Sequence, residues 1–380
     1  MINRIAAYAT RLGAWPVPGA SDWLAARSRG PMPPGAVLLH APSHAFQAPG
    51  GGENQLVQTG RHLEALGVAV RPFSPWTDRL DAARLLHLFG MSREGLELAR
   101  VARARGLPVV LSPICWYAPR SLVALAGGPA AAARDLARWA VLRAAPRWPT
   151  WRRSLLRLAD AVLPNSRAEA LQLVRVFGAD PSRVRVVPNG VDPRFARSAP
   201  DLFRGLHGAD DFVLYVGRVE PRKNVKGLIE AARGAGLPLV VIGDAPPGRE
   251  AYRDACRAAG AGAVRWLPAV DHDDPILASA YAAARVVALP SWFETPGLAA
   301  LEAALAGRAA VVVTPYGCAR EYFGEYAGYA RPGRRRELAR ALAAAWRSGP
   351  DPRLARHVAG RFLWSEVALQ TAEVYDQVAD

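Results

Sequence analysis

The chain has 380 residues, 51% of them hydrophobic, and a formal net charge of +15, so it can bury two hydrophobic cores and its basic excess favours an anionic partner. It lacks the apolar run of roughly 18 to 20 residues that crosses a bilayer, and its first 30 residues lack the apolar core of a signal peptide. Three widely spaced cysteines suggest neither a disulfide framework nor a zinc site, which favours a cytoplasmic location, free or peripheral on the cytoplasmic face of the inner membrane.

Apolar strands and amphipathic helices alternate along the chain. After an extension over residues 1–32, we predict strands at 36–40, 68–70, 85–89, 109–112, 161–164 and 184–187. A linker over residues 193–211 precedes a second series at 212–216, 239–242, 264–267, 286–289 and 310–313, and a last helix covers 364–378. Such alternation implies parallel sheets with right-handed crossovers. The predicted fold class is therefore α/β, with two doubly wound, Rossmann-like domains facing a central cleft.

A glycine-rich loop follows the first predicted strand and contains Pro49, Gly50, Gly51, Gly52 and Glu53. A strand, a glycine loop and a helix together allow backbone amides to reach a phosphate. A flexible turn explains the glycines equally well, so both interpretations stay open at this point.

Arginine and tryptophan interleave in one stretch of the chain, residues 134–157. The residues concerned are Arg134, Arg138, Trp139, Arg143, Arg147, Trp148, Trp151, Arg152, Arg153 and Arg157. Aromatic rings at headgroup depth with guanidinium groups on lipid phosphates are typical of an interfacial segment, so one interpretation is peripheral contact with an anionic membrane. The other is a solvated helical face with tryptophans in the core. A GC-rich genome would supply much of the arginine, since only Lys223 and Lys226 are lysines.

The predicted strand at 212–216 ends at Gly217 and leads into a basic loop that contains Arg218 and Lys223. Open α/β sheets bind ligands at the carboxyl ends of their strands, and a glycine there lets the backbone approach a ligand closely. Arg218 and Lys223 are therefore placed to neutralise a diphosphate.

Two carboxylates, Glu294 and Glu302, follow the predicted strand at 286–289. Pro296 and Gly297 break the chain between them, which places Glu294 in a loop and Glu302 about two turns into a helix. The first amides of that helix favour an anionic group. A carboxylate beside an anion site suggests a ligand with both hydroxyls and phosphates, such as a sugar nucleotide, although a solvated helix face is the plain alternative for Glu302.

Three motifs in this order resemble those of the retaining family 4 glycosyltransferases of GT-B fold, the glycosyl transferases group 1. They are Gly217-Arg218 with Lys223-Asn224, Glu294-x7-Glu302, and Val187-Pro188-Asn189-Gly190-Val191-Asp192. The resemblance extends from about residue 35 to the C-terminus. It implies an N-terminal acceptor-side domain over residues 1–192, completed by a terminal helix at 363–380, and a nucleotide-sugar-binding domain over residues 193–362.

The resemblance also implies roles for individual residues. Glu294 would hold the hydroxyls of the donor sugar and Glu302 those of the ribose. Arg218 and Lys223 would stabilise the diphosphate without a metal or another cofactor. Further donor contacts would come from Gly51, Gly52, Gly217, Gly243, the turn after Leu267, Thr295, Pro296, Gly297 and Leu298, and an acceptor-side contact from Glu53.

One part of the sequence departs from the family pattern. Many relatives carry a cleft histidine after one of the strands that correspond to 85–89 and 109–112, and here only His87 is available. A histidine inside an apolar strand is more simply a hydrogen-bonded core residue. Trp116 and Tyr117 are predicted to offer stacking faces to an acceptor sugar instead.

The predicted function is transfer of a sugar, with retention, from a nucleotide-diphosphate donor to a saccharide, lipid-linked or protein acceptor in bacterial cell-surface polysaccharide biosynthesis. The alternatives are a GT-B sugar-nucleotide epimerase and a basic, non-catalytic binding protein. No nucleic-acid motif accompanies the charge, so nucleic acid is not an expected partner. A phosphorylase of this architecture needs a pyridoxal lysine, and both lysines of the chain lie in the phosphate loop, which argues against that activity.

Overall fold

The computed structural model describes residues 18–47, 49–145, 148–209 and 211–379, and their strands form two parallel sheets. The first sheet consists of β1 (Val37–His40), β2 (Val70–Pro72), β3 (Leu85–Phe89), β4 (Val109–Ser112) and β5 (Ala161–Val162). Their spatial order is β2-β1-β3-β4-β5. Leucine and valine dominate these strands because helices cover both faces of a parallel sheet.

The second sheet has six strands: β6 (Val213–Val216), β7 (Leu239–Ile242), β8 (Val264–Leu267), β9 (Val286–Leu289), β10 (Ala310–Val313) and β11 (Gly328–Tyr329). Their spatial order is β11-β10-β9-β6-β7-β8. The order reverses between β6 and β9, and open α/β sheets bind ligands outside the carboxyl ends of the strands at such a reversal.

Helices surround both sheets. Those of the first half are α1 (Pro18–Ser28), α2 (Gly51–Ala65), α3 (Arg93–Ala104), α4 (Pro119–Leu125), α5 (Pro129–Ala144), α6 (Trp151–Leu158) and α7 (Arg167–Phe177). The second half has α8 (Asp201–His207), α9 (Val225–Gly234), α10 (Glu250–Ala259), α11 (Pro275–Ala283), α12 (Leu298–Ala306), α13 (Ala319–Phe323), α14 (Arg335–Ser348), α15 (Pro352–Ala359) and α16 (Trp364–Ala379). Within the described residues, no helix combines the length and apolar character needed to cross a bilayer.

The predicted α/β class and most of the strands are confirmed. The strands at 85–89, 109–112, 239–242, 264–267, 286–289 and 310–313 have the predicted bounds. The strand predicted at 68–70 begins only at Val70. Gly67 has a positive φ, and the N–H of Val68 donates to the carbonyl of Leu63 at the end of α2, so Val68 still belongs to the helix terminus. The predicted strand at 184–187 is wrong: this segment forms a single bridge, between Val184 and Val162.

The prediction of a linker over residues 193–211 is also wrong. A 3₁₀ helix (Pro193–Arg197) and α8 occupy this stretch. Phe195 and Phe203 are fully buried in the core of the second domain, and the N–H of Phe203 donates to Ser279 Oγ on α11. Of the predicted extension, residues 1–17 lie outside the described residues, and the rest includes α1, whose Trp23 packs against Gly60.

The chain passes between the domains at two points that lie side by side. The N–H of Val191 donates to the carbonyl of Phe362 at 2.7 Å, and the N–H of Trp364 donates to that of Val191 at 3.3 Å. A Cβ atom at Gly190 would lie 2.6 Å from the Trp364 ring, so this approach requires glycine. Helix α16 then packs on α2 of the first domain. The domain boundaries at 192/193 and 362/363 stay predictions.

Candidate active site

A cavity of about 580 Å³ lies between the domains, at the ends of β6 and β9 and against the glycine loop before α2. Most of the predicted donor-side residues line it: Gly51, Gly52, Gly217, Arg218, Lys223, Glu294, Thr295, Gly297, Leu298 and Glu302. The turn after Leu267 contributes Pro268, Ala269 and Val270. The lining does not include Glu53, His87, Trp116, Tyr117, Gly243, Pro296 or Leu267 itself.

The glycine loop approaches the Arg218 side chain most closely at Gly50, a residue that the sequence analysis did not single out as a site residue. A Cβ atom at Gly50 would lie 3.2 Å from Cζ of Arg218, whereas at Gly51 or Gly52 it would meet nothing closer than 3.5 Å. The N–H of Gly50 donates to the Glu53 carboxylate at 2.7 Å. Glu53 therefore caps its own helix.

Gly217 and Gly243 end the neighbouring strands β6 and β7 with φ of +143° each. A Cβ atom at Gly243 would lie 2.0 Å from the carbonyl oxygen of Gly217. Gly243 is thus required by the packing of two backbones, and only Gly217 lines the cavity.

Lys223 and Glu294 form a buried ion pair in the cavity wall. Nζ of Lys223 donates to Oε1 of Glu294 at 2.6 Å, the Ser291 hydroxyl donates to the same oxygen, and Arg222 lies 3.9 Å from Oε2. Burial disfavours the charged carboxylate, but Lys223 and Arg222 outweigh it and lower the pKa of Glu294. Burial also lowers the pKa of Lys223, and Glu294 opposes that shift. The lowered pKa of Glu294 keeps its carboxylate charged at neutral pH.

Glu302 points from α12 into the cavity wall with 5% of its surface exposed. The Tyr281 hydroxyl donates to its Oε2 at 2.7 Å, and Nε2 of His272 lies 2.9 Å from its Oε1. Burial disfavours the charged carboxylate, but His272 outweighs it and lowers the pKa of Glu302. Burial likewise disfavours the imidazolium, yet Glu302 and Asp273 raise the pKa of His272 to about 9. Sequence reasoning missed both partners of Glu302.

Asp273 links this cluster to the first domain. Its carboxylate accepts from Nη1 of Arg194 at 2.9 Å and from Nη1 of Arg61 on α2 at 3.1 Å. The sequence feature that could have indicated this cluster is a histidine, His272, among the acidic residues Asp271, Asp273 and Asp274, a few positions after the end of a predicted strand. That pattern alone does not distinguish a site residue from a solvated turn.

The loop that follows β4 is held by α7. The N–H of Cys115 donates to Glu169 and that of Tyr117 to Gln172, each at 2.6 Å. Burial raises the pKa of Glu169 to about 7, although its backbone donors oppose the shift. The Trp116 ring stacks on Phe293 with centroids 6.2 Å apart, so this predicted acceptor-side tryptophan touches the second domain just outside the cavity.

His87 lies in the core of the first domain and not in the cleft. Its Nδ1 is 2.6 Å from the Tyr375 hydroxyl of α16, and its Nε2 is 2.9 Å from Ser112 Oγ. Burial lowers its pKa to about 3, so the ring is neutral. His87 is therefore a hydrogen-bonded core histidine, the simpler of the two interpretations of the sequence.

Only some of the arginines and tryptophans in the basic segment at 134–157 are exposed to solvent. Arg153 is 2% exposed and its guanidinium donates to the carbonyls of Leu142, Ala145, Trp148 and Val176, so it cannot face a membrane. Arg147 lies outside the described residues. Arg134, Arg138, Arg143 and Arg157 are exposed, as is Trp148, whereas Trp139 and Trp151 are half-buried.

Among the described residues, no group of three or more His, Cys, Asp and Glu side chains is placed to hold a metal ion. Whether the reaction is independent of metals and other cofactors stays a prediction.

Two family models match the chain, one described as glycosyltransferase family 4 over residues 49–195 and one as glycosyl transferases group 1 over residues 203–356. The chain belongs to the group 1 glycosyl transferases. The predicted family is thereby confirmed, and the two models together span most of both domains.

Solved glycosyltransferases share the fold of this group 1 member. Sucrose-phosphate synthase from Thermosynechococcus elongatus matches with a TM-score of 0.68 and 20% identity over 90% of this chain and 98% of its own. Anabaena HepE, solved in complex with UDP and glucose, matches with a TM-score of 0.67 and 20% identity over 89% of this chain and 99% of its own. The two facing Rossmann-like domains are therefore a GT-B fold.

Curated bacterial relatives match a shorter part of the chain. D-inositol 3-phosphate glycosyltransferase 2 of Catenulispora acidiphila is 33% identical over 58% of this chain and 56% of its own. The D-inositol 3-phosphate glycosyltransferase of Geodermatophilus obscurus is 41% identical over 39% of this chain and 37% of its own. The chain thus spans about half, or less, of the length of the curated relatives it matches.

Proposed function

We propose that this glycosyltransferase moves a sugar from a nucleoside-diphosphate donor to an acceptor hydroxyl, with retention and without a metal ion. The observation that carries the proposal is the meeting of Arg218, Lys223, Glu294 and Glu302 in one cavity between two Rossmann-like domains. A nucleotide sugar offers groups of matching chemistry: a diphosphate for the cations, and ribose and sugar hydroxyls for the carboxylates.

Cleavage of the bond between sugar and diphosphate builds negative charge on the leaving oxygen and positive charge on the sugar. Arg218 and Lys223 would stabilise the leaving group. Glu294 is already engaged by Lys223 and Ser291, which suits a fixed acceptor of donor hydroxyls better than a free nucleophile. In the proposed reaction the acceptor hydroxyl attacks on the face from which the diphosphate leaves, and its proton passes to the departing phosphate oxygen, so configuration is retained.

The names of similar proteins support a nucleotide donor, since HepE was solved with UDP and with UDP-glucose. For the acceptor we propose a saccharide, a lipid-linked saccharide or a protein in cell-surface glycan synthesis. The relatives named for D-inositol 3-phosphate indicate that small hydroxylated acceptors occur in this group as well.

We further propose that a basic-aromatic surface, defined as Arg134, Arg138, Val141, Arg143 and Trp148, contacts an anionic membrane that presents a lipid-linked acceptor. Val141 and Trp148 are 54% and 62% exposed, and Arg134, Arg138 and Arg143 are exposed as well. Exposed apolar groups together with exposed guanidinium groups fit the boundary between acyl chains and lipid phosphates. A soluble acceptor is the alternative that the vesicle experiment below distinguishes.

The test of the function is to incubate the chain with a panel of nucleotide sugars and to measure release of nucleoside diphosphate, both with acceptors present and with water as the sole acceptor. We expect one donor to support release, and the Glu294→Gln variant to reduce it. Conversion of the donor sugar without release would instead indicate the epimerase. Donor binding with no release from any member of the panel would indicate the non-catalytic binding protein.

A further inference from the structure

His272 lies beside the carboxylate that the proposed function assigns to the ribose. We infer that His272 is a positioning residue for nucleotide recognition: it fixes the orientation and the charge of Glu302 so that both carboxylate oxygens can accept ribose hydroxyls. This inference rests on the proposed function, because it takes Glu302 as the ribose contact. His272 lies outside the sequence motifs described above, in the loop that follows β8.

The orientation of Glu302 is set from two sides. Tyr281 donates to one carboxylate oxygen and His272 lies within hydrogen-bond distance of the other, and all three side chains line the cavity. A carboxylate oxygen has two lone pairs, so each oxygen keeps one for a ligand hydroxyl. The two cis hydroxyls of a ribose match two acceptor oxygens held in one plane.

The charge of Glu302 depends on the same contact. A carboxyl group this deeply buried would take up a proton near neutral pH without a compensating cation. His272 supplies that cation, since its own pKa is raised to about 9 and that of Glu302 is lowered. A protonated Glu302 would lose acceptor strength toward the diol, so the imidazolium keeps the site competent below neutral pH.

His272 is itself fixed by its surroundings. The guanidinium of Arg194 donates to its backbone carbonyl, Nδ1 lies 3.4 Å from Oδ1 of Asp273, and the Phe195 ring meets the imidazole edge-on. The charged groups that interact with it are Glu302 from α12, Arg194 from the 3₁₀ helix, and Asp271 and Asp273 from its own loop. Tyr281 of α11 reaches the same Glu302, and Arg61 of α2 pairs with Asp273.

The experiment compares the affinity for UDP with that for 2′,3′-dideoxy-UDP by calorimetry. The proteins are the wild type, His272→Ala, His272→Gln, and His207→Gln as a control histidine on α8 outside the cavity. We expect the wild type and the control to prefer UDP at least about tenfold, as expected for one charge-assisted hydrogen bond. In His272→Ala this preference should fall severalfold. The amide of His272→Gln should preserve it at pH 8.

The pH dependence distinguishes positioning from simple packing. In the wild type the preference for UDP should stay level from pH 8 to pH 5. In His272→Gln the imidazolium no longer offsets burial, so Glu302 takes up a proton as the pH falls and the preference should decline toward pH 5. A wild type that binds both nucleotides equally would refute the ribose role of Glu302 and with it that part of the proposed function. A preference that persists unchanged in both His272 variants at both pH values would overturn the inference alone.

Discussion

Nζ of Lys223 lies 2.6 Å from Oε1 of Glu294, and this pair joins the two loops that follow the neighbouring strands β6 and β9. Both side chains are nearly enclosed, at 14% and 5% exposure. Removal of one partner therefore leaves the other charge poorly solvated as well as unpaired. The two loops are coupled by this contact before any donor is present.

Replacing Lys223 or Arg218 by alanine should lower kcat/KM for the donor by about 30-fold or more, the equivalent of about 2 kcal/mol of transition-state stabilisation. The other lysine provides the control: Lys226→Ala removes an exposed side chain outside the cavity and should change kcat/KM little. Lys223→Ala combined with Glu294→Gln should cost less than the sum of the single effects. Wild-type turnover in both Lys223→Ala and Arg218→Ala would refute their assignment to the diphosphate.

Glu302→Gln and Glu294→Gln should separate nucleotide binding from sugar transfer. Glu302→Gln removes the charged acceptor of the ribose hydroxyls, so calorimetry with UDP should show a loss of affinity of about tenfold. Glu294→Gln should leave UDP affinity nearly unchanged and reduce kcat, because UDP has no donor sugar to contact. Equal losses of UDP affinity in both variants would contradict this division of roles.

Gly50→Ala should impair catalysis without unfolding the chain. The added methyl group would lie 3.2 Å from the Arg218 guanidinium, which is tighter than an ordinary contact, and would push it away by a few tenths of an ångström. We expect a several-fold lower kcat/KM with little change in the melting temperature. Gly205→Ala on α8 is the control, because its methyl group would meet no atom within 4 Å and the residue lies outside the cavity. If both variants retain full activity, the contact between Gly50 and Arg218 has no functional role.

His87 should affect stability and its pH dependence. Its pKa is about 3 in the folded chain, below its ordinary value of 6.5, so the unfolded state binds more protons between these values and stability falls as the pH drops through that window. His87→Gln should melt at a lower temperature at pH 7.5 and lose less on going to pH 5. Scanning fluorimetry at both pH values measures this. A fall in kcat per folded molecule would instead support a cleft role for His87.

Charge reversal on the basic-aromatic surface should release the protein from anionic vesicles. Each arginine near such a surface contributes about 1 kcal/mol, screened by salt. We expect Arg138→Glu with Arg143→Glu to abolish sedimentation with phosphatidylserine vesicles at low salt while donor hydrolysis continues. Arg336→Glu with Arg340→Glu, exposed positions on α14 of the other domain, is the control. A wild type that stays in solution at low salt contradicts the membrane proposal.

The sequence was sufficient for the parts of the fold that depend on local pattern. Runs such as Val286–Leu289 and Ala310–Val313 are apolar and β-branched because both faces of these strands are buried, and their bounds were predicted correctly. Most of the donor-side residues follow strand ends, so the topology alone brings them together. Glu294 and Glu302 meet Arg218 and Lys223 for that reason.

Residues whose placement depends on tertiary packing could not be predicted in the same way. His272 reaches Glu302 because the loop after β8 folds against α12, and no spacing in the sequence records that contact. Arg153 looks like its exposed neighbours in a basic stretch, but it turns inward to bind four carbonyl groups. Phe195 and Phe203 are buried in the core of the second domain, and nothing in the spacing of the sequence around them predicts that burial.

The paired passages of the chain at Val191 and Leu363 are the covalent links between the two domains. Rotation of backbone torsions at these two neighbouring positions changes the angle between the domains without stretching either covalent link. The two hydrogen bonds around Val191 hold both passages side by side. A donor that contacts the glycine loop on one side and the loop after β6 on the other would fix that angle, and release of the product would free it.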